Sequence, residues 1–239
     1  MMRVILSCCL SAVALAIAGP AAAQNLAVNG SFEAPDQAPT GYTDYLVGSS
    51  AIPGWTIVGV PRTYVSLVDG AYGGNPGFAF PAHDGAQWLD LAGFSDNAAD
   101  GVQQAIATEI GASYLLSFYV GNVSGGPGNA FGTQSSVGVE FGSGGTNFAC
   151  TNATAGSTLT WQLCSQRFVA SQASTLFTLR NLDPTSDFSN AVDDVSIVRI
   201  VAGIPEPSTW ALLIAGFAMI GSALRRRRGT AIGRTVLLR

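Results

Sequence analysis

Between its two ends the chain carries apolar residues in short runs, rich in Val, Ile, Tyr, Phe and Trp, separated by Gly, Asn, Asp, Ser and Pro. Alternation of apolar and polar positions over such runs is the mark of strands, and no run holds a helical period. The pattern predicts strands at Trp55–Val60, Tyr64–Val68, Gln87–Leu91, Gly101–Ala107, Ser113–Val120, Ser136–Phe141, Leu159–Phe168, Thr175–Asn181 and Val192–Val201. In the fifth of these, Tyr114, Leu116, Phe118 and Val120 share one face, which should be core. Phe177 with Leu179, and Val195 with Ile197, should do the same near the end of the domain. Many short strands of this kind make a two-sheet sandwich or jelly roll, an all-β fold. Three long connections interrupt it, at 71–85, 121–132 and 141–147, two of them very rich in glycine. On a sandwich such loops are either binding edges or mere excursions.

The ends read differently. Arg3 precedes an apolar run from Val4 to Ala18, Gly19-Pro20 breaks it, and Ala21-Ala22-Ala23 supplies small residues. That is a secretory signal peptide over 1–23, to be cut by signal peptidase before Gln24. At the other end, Pro205-Glu206-Pro207 precedes an uncharged stretch, and Arg225, Arg226, Arg227 and Arg228 close it. From Ser208 to Leu224 there are 17 residues, enough for a helix of roughly 25 Å at ~1.5 Å per residue. This is short for a transmembrane helix, although a flanking arginine can snorkel. The arginines stay cytoplasmic, so the preceding domain faces outward. The organisation expected is a signal peptide (1–23), one β-domain (24–203), a tail with a membrane helix (204–228) and a short cytoplasmic extension (229–239).

Charge sharpens this picture. Four arginines against fourteen acidic residues leave residues 24–203 with a net charge of −10, and the chain has no lysine. Such a domain repels nucleic acid and has carboxylates to spare for calcium. Cys150 and Cys164 are the only cysteines left after export. In an oxidising compartment they should be bridged, with two buried thiols as the alternative.

The tail resembles the PEP-CTERM sorting signal of Gram-negative bacteria, carried by Pro205, Glu206, Pro207, the apolar helix and the arginines. The resemblance implies that an exosortase-type membrane protease removes the tail. The precursor would sit transiently in the inner membrane, and the outer part would pass to the cell surface or its polysaccharide. A plain anchor is the simpler alternative. Within the domain, Asn29-Gly30-Ser31-Phe32-Glu33, Ile52-Pro53-Gly54-Trp55, Asp84-Gly85, Leu89-Asp90-Leu91 and Val192-Asp193-Asp194-Val195 resemble, in that order, galactose-binding-like jelly rolls of bacterial surface proteins and carbohydrate-binding modules. In that group the opening motif and the closing Asp-Asp flank a structural calcium. The resemblance therefore implies Ca²⁺ held by Glu33 and Asp194, with carbonyls completing the shell.

Candidate chemistry beyond this is sparse. Tyr72, Phe78 and Phe80, in a loop, are candidates for stacking on a sugar ring, or for packing if the loop lies on a sheet. Trp55 and Trp88 read as core. His83 is the only histidine and no Gly-x-Ser-x-Gly elbow accompanies it. Asp90 with Asp96 or Asp100 could in principle form a glycosidase pair. The sequence thus reads as an exported, non-enzymatic surface protein associated with polysaccharide. A glycoside-active enzyme and a matrix protein without sugar affinity are the alternatives.

Overall fold

The structure is a computed structural model that describes residues 24–93, 100–142, 145–184, 189–201 and 207–231. The signal peptide, Pro205, Glu206, Asp96 and residues 232–239 lie outside the described residues, and the side chains of Pro207 and of Arg226, Arg227 and Arg228 are likewise outside them. Residues 23–200 form one compact unit, and the C-terminal helix belongs to another.

The domain is a jelly-roll β-sandwich. Its strands are β1 (Tyr42–Leu46), β2 (Thr56–Val58), β3 (Tyr64–Asp69), β4 (Gln87–Asp90), β5 (Gly101–Ala107), β6 (Ser113–Asn122), β7 (Ser135–Phe141), β8 (Thr146–Asn152), β9 (Thr160–Val169), β10 (Ser174–Asn181) and β11 (Ala191–Ile200). A six-stranded sheet runs β1-β3-β4-β11-β6-β9, and a five-stranded sheet runs β2-β5-β10-β7-β8. The named pairs are antiparallel, so each strand alternates an inward and an outward side chain.

The inward set is the core that the alternation predicts. Tyr114, Leu116, Phe118 and Val120 of β6 are buried between the sheets, as are Phe177 and Leu179 of β10 and Val195 and Ile197 of β11. Trp55 lies with them, 1% exposed, and its Nε1 donates to the Asn29 carbonyl at 3.0 Å. Two strands escape the sequence pattern. Both β1 and β8 are edge strands, and their polar sequences (Tyr-Thr-Asp-Tyr-Leu and Thr-Asn-Phe-Ala-Cys-Thr-Asn) leave no clean apolar face.

Cys150 on β8 and Cys164 on β9 are bonded, with their Cα atoms 6.1 Å apart. Both strands are edges, one in each sheet, so the bridge ties the sheets together at one side of the sandwich.

The opening and closing motifs meet, as the resemblance implies. The Val195 amide donates to the Gly30 carbonyl at 2.9 Å. A Cβ on Gly30 would stand 2.0 Å from the Val195 carbonyl oxygen, so only glycine fits this approach. A β-bulge interrupts β11 between Asp193 and Ser196, with Asp194 at φ 49°. Simple alternation places Val195 on the side of Asp193. The bulge adds one residue, so Val192 and Val195 both face the core while Asp193 reaches the outer face.

In the other unit, α1 spans Pro207–Ala231. Its described side chains run from Trp210 to Arg225, and Leu212, Ile214, Phe217, Met219, Ile220 and Leu224 are exposed. Among the described residues no helix is long and apolar enough to cross a membrane. The expected spanning segment is thus a helix, but its described apolar part falls short of the roughly 20 residues that a span takes.

Candidate functional site

The outer face of the six-stranded sheet carries the site. On β3, Ser66 and Val68 alternate with the core residues Val65 and Leu67; on β4, Trp88 and Asp90 alternate with Leu89 and the following Leu91. The register sets Ser66 opposite Asp90 and Val68 opposite Trp88, so these four form one patch.

Two loops fold over that patch. The 71–85 excursion is closed at its neck by the Gly70 amide on the Ala86 carbonyl, 2.8 Å. It is tied to the segment before β9 by the Ala79 and Leu159 amides, at 2.9 and 2.8 Å. Aromatic side chains then pin both loops down. Phe80 is 5% exposed and stacks on Trp88, ring centroids 6.4 Å apart, and the Trp88 Nε1 donates to the Phe80 carbonyl at 3.0 Å. Phe131, from the 124–132 loop, meets Phe80 edge-on at 5.8 Å, and Phe78 packs on Phe131 at 5.1 Å. Tyr72 lies 5.8 Å from Phe80, and Tyr42 of β1 meets Tyr72 at 90° and 5.7 Å. These rings form a second apolar cluster, separate from the one between the sheets.

What the loops leave open is a cleft of about 250 Å³. Tyr42, Tyr72, Phe80, Trp88 and Phe131 supply its rings, and Ser66, Asn75 and Asp90 its polar side chains. Asp90 is held in place: its Oδ1 accepts the amides of Ala92 at 2.9 Å and Asn190 at 3.2 Å. Burial raises the Tyr72 hydroxyl above its ordinary pKa, with a smaller push from Tyr42, so the phenol stays a neutral donor and acceptor. A mostly apolar, ring-lined cleft with a few fixed polar groups suits a small cyclic ligand.

Of the three aromatic residues proposed from the 71–85 loop, the structure splits the roles. Tyr72 and Phe80 line the cleft, while Phe78 is packing behind Phe131. Trp88 is buried, as expected, but it lies under the cleft rather than between the sheets. Tyr42, Ser66, Asn75 and Phe131 were not singled out by sequence, and Asp90 was singled out only as a carboxylate for glycoside chemistry. Period-two alternation on β3 and β4 could have set Ser66, Trp88 and Asp90 on one face, but Tyr42 sits on an unpredicted strand.

The calcium corner is built differently from the cage that the resemblance implies. Glu33 and Asp193 clamp the 83–87 turn from its two ends. Asp193 Oδ2 accepts the amides of His83 and Asp84 at 2.9 and 3.1 Å, and Oδ1 accepts that of Asp194 at 2.7 Å. Glu33 Oε1 accepts the amides of Ala86 and Gln87 at 3.0 and 3.1 Å. Asp194 lies on the bulge, and its Oδ2 faces His83 Nδ1 at 3.7 Å. Among the described residues no group of three or more His, Cys, Asp or Glu side chains could hold a metal ion. Glu33 Oε1 and both Asp193 oxygens are thus engaged by amide donors that a calcium ion would have to displace, while Asp194 faces His83. Burial pushes the Asp193 carboxyl up to about 7, against the lowering effect of its amide bonds. Desolvation also raises Asp194, opposed by His83.

Of the carboxylates suggested for glycoside chemistry, Asp96 lies outside the described residues, and Asp90 and Asp100 belong to different sheets. Asp90 belongs to the six-stranded sheet, whereas Asp100 leads into β5 of the other sheet and accepts the Val60 amide at 3.0 Å. His83 lies flat on Tyr119, centroids 3.4 Å apart, as a packing residue.

Residues 25–198 match the family described as Protein of unknown function (DUF642). The chain belongs to the DUF642 family. Residues 203–228 match the PEP-CTERM protein-sorting motif, which makes this DUF642 protein an exported one, anchored at a membrane and then sorted to the surface. No curated protein matches it significantly. Among solved structures, the Stig cyclase Fisc from Fischerella sp. TAU is 20% identical with a TM-score of 0.51, covering 76% of this chain and 100% of that one. TmCBM61 in complex with beta-1,4-galactotriose is 16% identical, TM-score 0.45, covering 74% and 99%. The CBM22-1 xylan-binding domain of Xyn10C from Paenibacillus barcinonensis is 17% identical, TM-score 0.39, covering 67% and 95%. At 20% identity the likeness to Fisc speaks to the fold and not to the ligand.

Proposed function

We propose that the mature protein is a non-enzymatic surface protein that holds a sugar unit of extracellular polysaccharide in the cleft above β3 and β4. The observation that supports this most is the composition of the cleft. Five rings surround about 250 Å³, and Ser66, Asn75 and Asp90 face the same space. The C–H faces of a sugar ring suit an aromatic plane, and its hydroxyls need fixed polar partners. The cleft lies just below the ~300 Å³ lower end of typical ligand pockets, which matches one ring rather than a long chain segment. Among the described residues its lining includes a carboxylate and no lysine or arginine, which favours sugars without acidic groups.

Processing by an exosortase-type protease at Pro205–Pro207 belongs to the same reading, since the sorting motif covers those residues. The mature protein passed over a panel of neutral and acidic polysaccharides should be retained by a neutral one, and Tyr72→Ala should abolish retention. Catalytic release of sugars, lost on Asp90→Asn, would instead support a glycoside-active enzyme. A protein that neither binds nor cleaves would be a structural matrix component.

A further inference from the structure

The floor of the cleft is built from two rows that the register draws across three strands. Tyr42, Val68 and Trp88 stand opposite one another on β1, β3 and β4. Asp44, Ser66 and Asp90 form the neighbouring row. Cross-strand partners of this kind share a face. One row is therefore apolar and carries rings, and the other sets a serine between two carboxylates. The serine does not offset that charge as a donor. Its Oγ donates to Asp44 Oδ1, so toward the cleft it presents lone pairs. Asp90 is 8% exposed, and its Oδ1 accepts the Ala92 and Asn190 amides. Among the described residues no lysine or arginine lines the space, while Asn75 and the Tyr72 hydroxyl supply partners for neutral hydroxyls. The walls match the floor. Tyr42 and Tyr72 meet at 90°, and Phe80 and Phe131 at 75°. Crossed rings of this kind make a box, and the negative faces of aromatic rings attract a cation, more strongly where water is excluded.

We propose that the sugar unit held here is an amino sugar with a protonated amine, so that the polysaccharide is a cationic one. This rests on the reading of the cleft as a sugar site and narrows the class of sugar. An ammonium group gains from the rings and from the row of Asp44, Ser66 and Asp90 together, through cation–π attraction and charge-assisted hydrogen bonds. A neutral sugar fits the same cleft with less gain. The whole domain leans the same way. With no lysine in the chain and a net charge of −10 over residues 24–203, it draws a cationic chain in and repels an acidic one.

The test titrates matched trisaccharides into the full chain held in a non-ionic detergent, at a pH that keeps free amines protonated. The probes are β-1,4-linked trimers of glucosamine against glucose, and of galactosamine against galactose. In a pair that binds, the amine-bearing trimer should bind about tenfold tighter or more. Asp44→Asn, which keeps an acceptor for the Ser66 hydroxyl, should shrink that gap. Glu109→Gln, which removes a charge outside the cleft lining, should leave it unchanged. Equal affinities within a pair that binds would overturn the inference and leave the sugar cleft standing. A gap that Glu109→Gln shrinks as much as Asp44→Asn would also overturn it, since it means diffuse attraction to an acidic surface. Binding of no member of either pair would overturn the sugar cleft itself, and this inference with it.

Discussion

Asp193 shows how a single residue can escape sequence reasoning. The Asp-Asp pair is visible in the chain, and alternation says that only one member can face a given side. It cannot say that a bulge at Asp194 sends Asp193 to the outer face, where it holds the 83–87 turn. Its proton affinity has a measurable consequence. A carboxyl raised to about 7 in the folded state, from an ordinary value of 3.8, is bound to a proton more strongly when folded. Its contribution to stability is full below the unfolded value and is lost as pH rises through 7. We expect Asp193→Asn to remove a decline on the order of a few kcal/mol between pH 4 and 7 in urea unfolding. Parallel pH profiles for the two proteins would contradict this. The carboxylates of the same corner bear on calcium. With Glu33 and Asp193 engaged by amides, the melting temperature should be the same in calcium and in chelator. A rise with calcium that Glu33→Ala or Asp194→Ala abolishes would restore the ion, by mass action on the folded state.

At the scale of elements, strands with one apolar face were legible because burial enforces their period, as in β6 and β10. The edge strands β1 and β8 were not, because little of either is buried. The cleft was half legible for the same reason. Its roof comes from an aromatic loop visible in the sequence, but its floor needs the register of β3 on β4, which pairs Ser66 with Asp90. The Cys150–Cys164 bond joins edge strands of different sheets, so it restrains the open side of the sandwich. Closing that loop stabilises by about 3 kcal/mol on the chain-entropy model. Urea unfolding with and without reductant should show a loss of that order, and coincident curves would mean that the bond adds nothing.

For the whole molecule, the sorting motif and the sandwich divide the work: one sets where the protein goes, the other what it holds. Pro207 opens α1, and it and Pro205 each bias the residue before them away from helix, so we expect a membrane protease to meet an extended chain at the motif. We expect the intact mass of the surface protein to exclude Trp210–Leu224, and replacement of Pro205, Glu206 and Pro207 by alanine to leave a full-length, membrane-held form. A wild-type mass that still includes Arg225–Arg239 would mean a plain anchor. The central claim, though, is the cleft, and a calorimetric titration tests it most directly. The oligosaccharide best retained from the panel is titrated into the wild-type protein and into Tyr72→Ala, with Leu163→Ala, outside the cleft, as control. Loss of the Tyr72 ring should weaken binding about tenfold or more, the equivalent of ~1.4 kcal/mol, and the control should bind as the wild type does. Equal affinity of Tyr72→Ala and wild type would contradict the account.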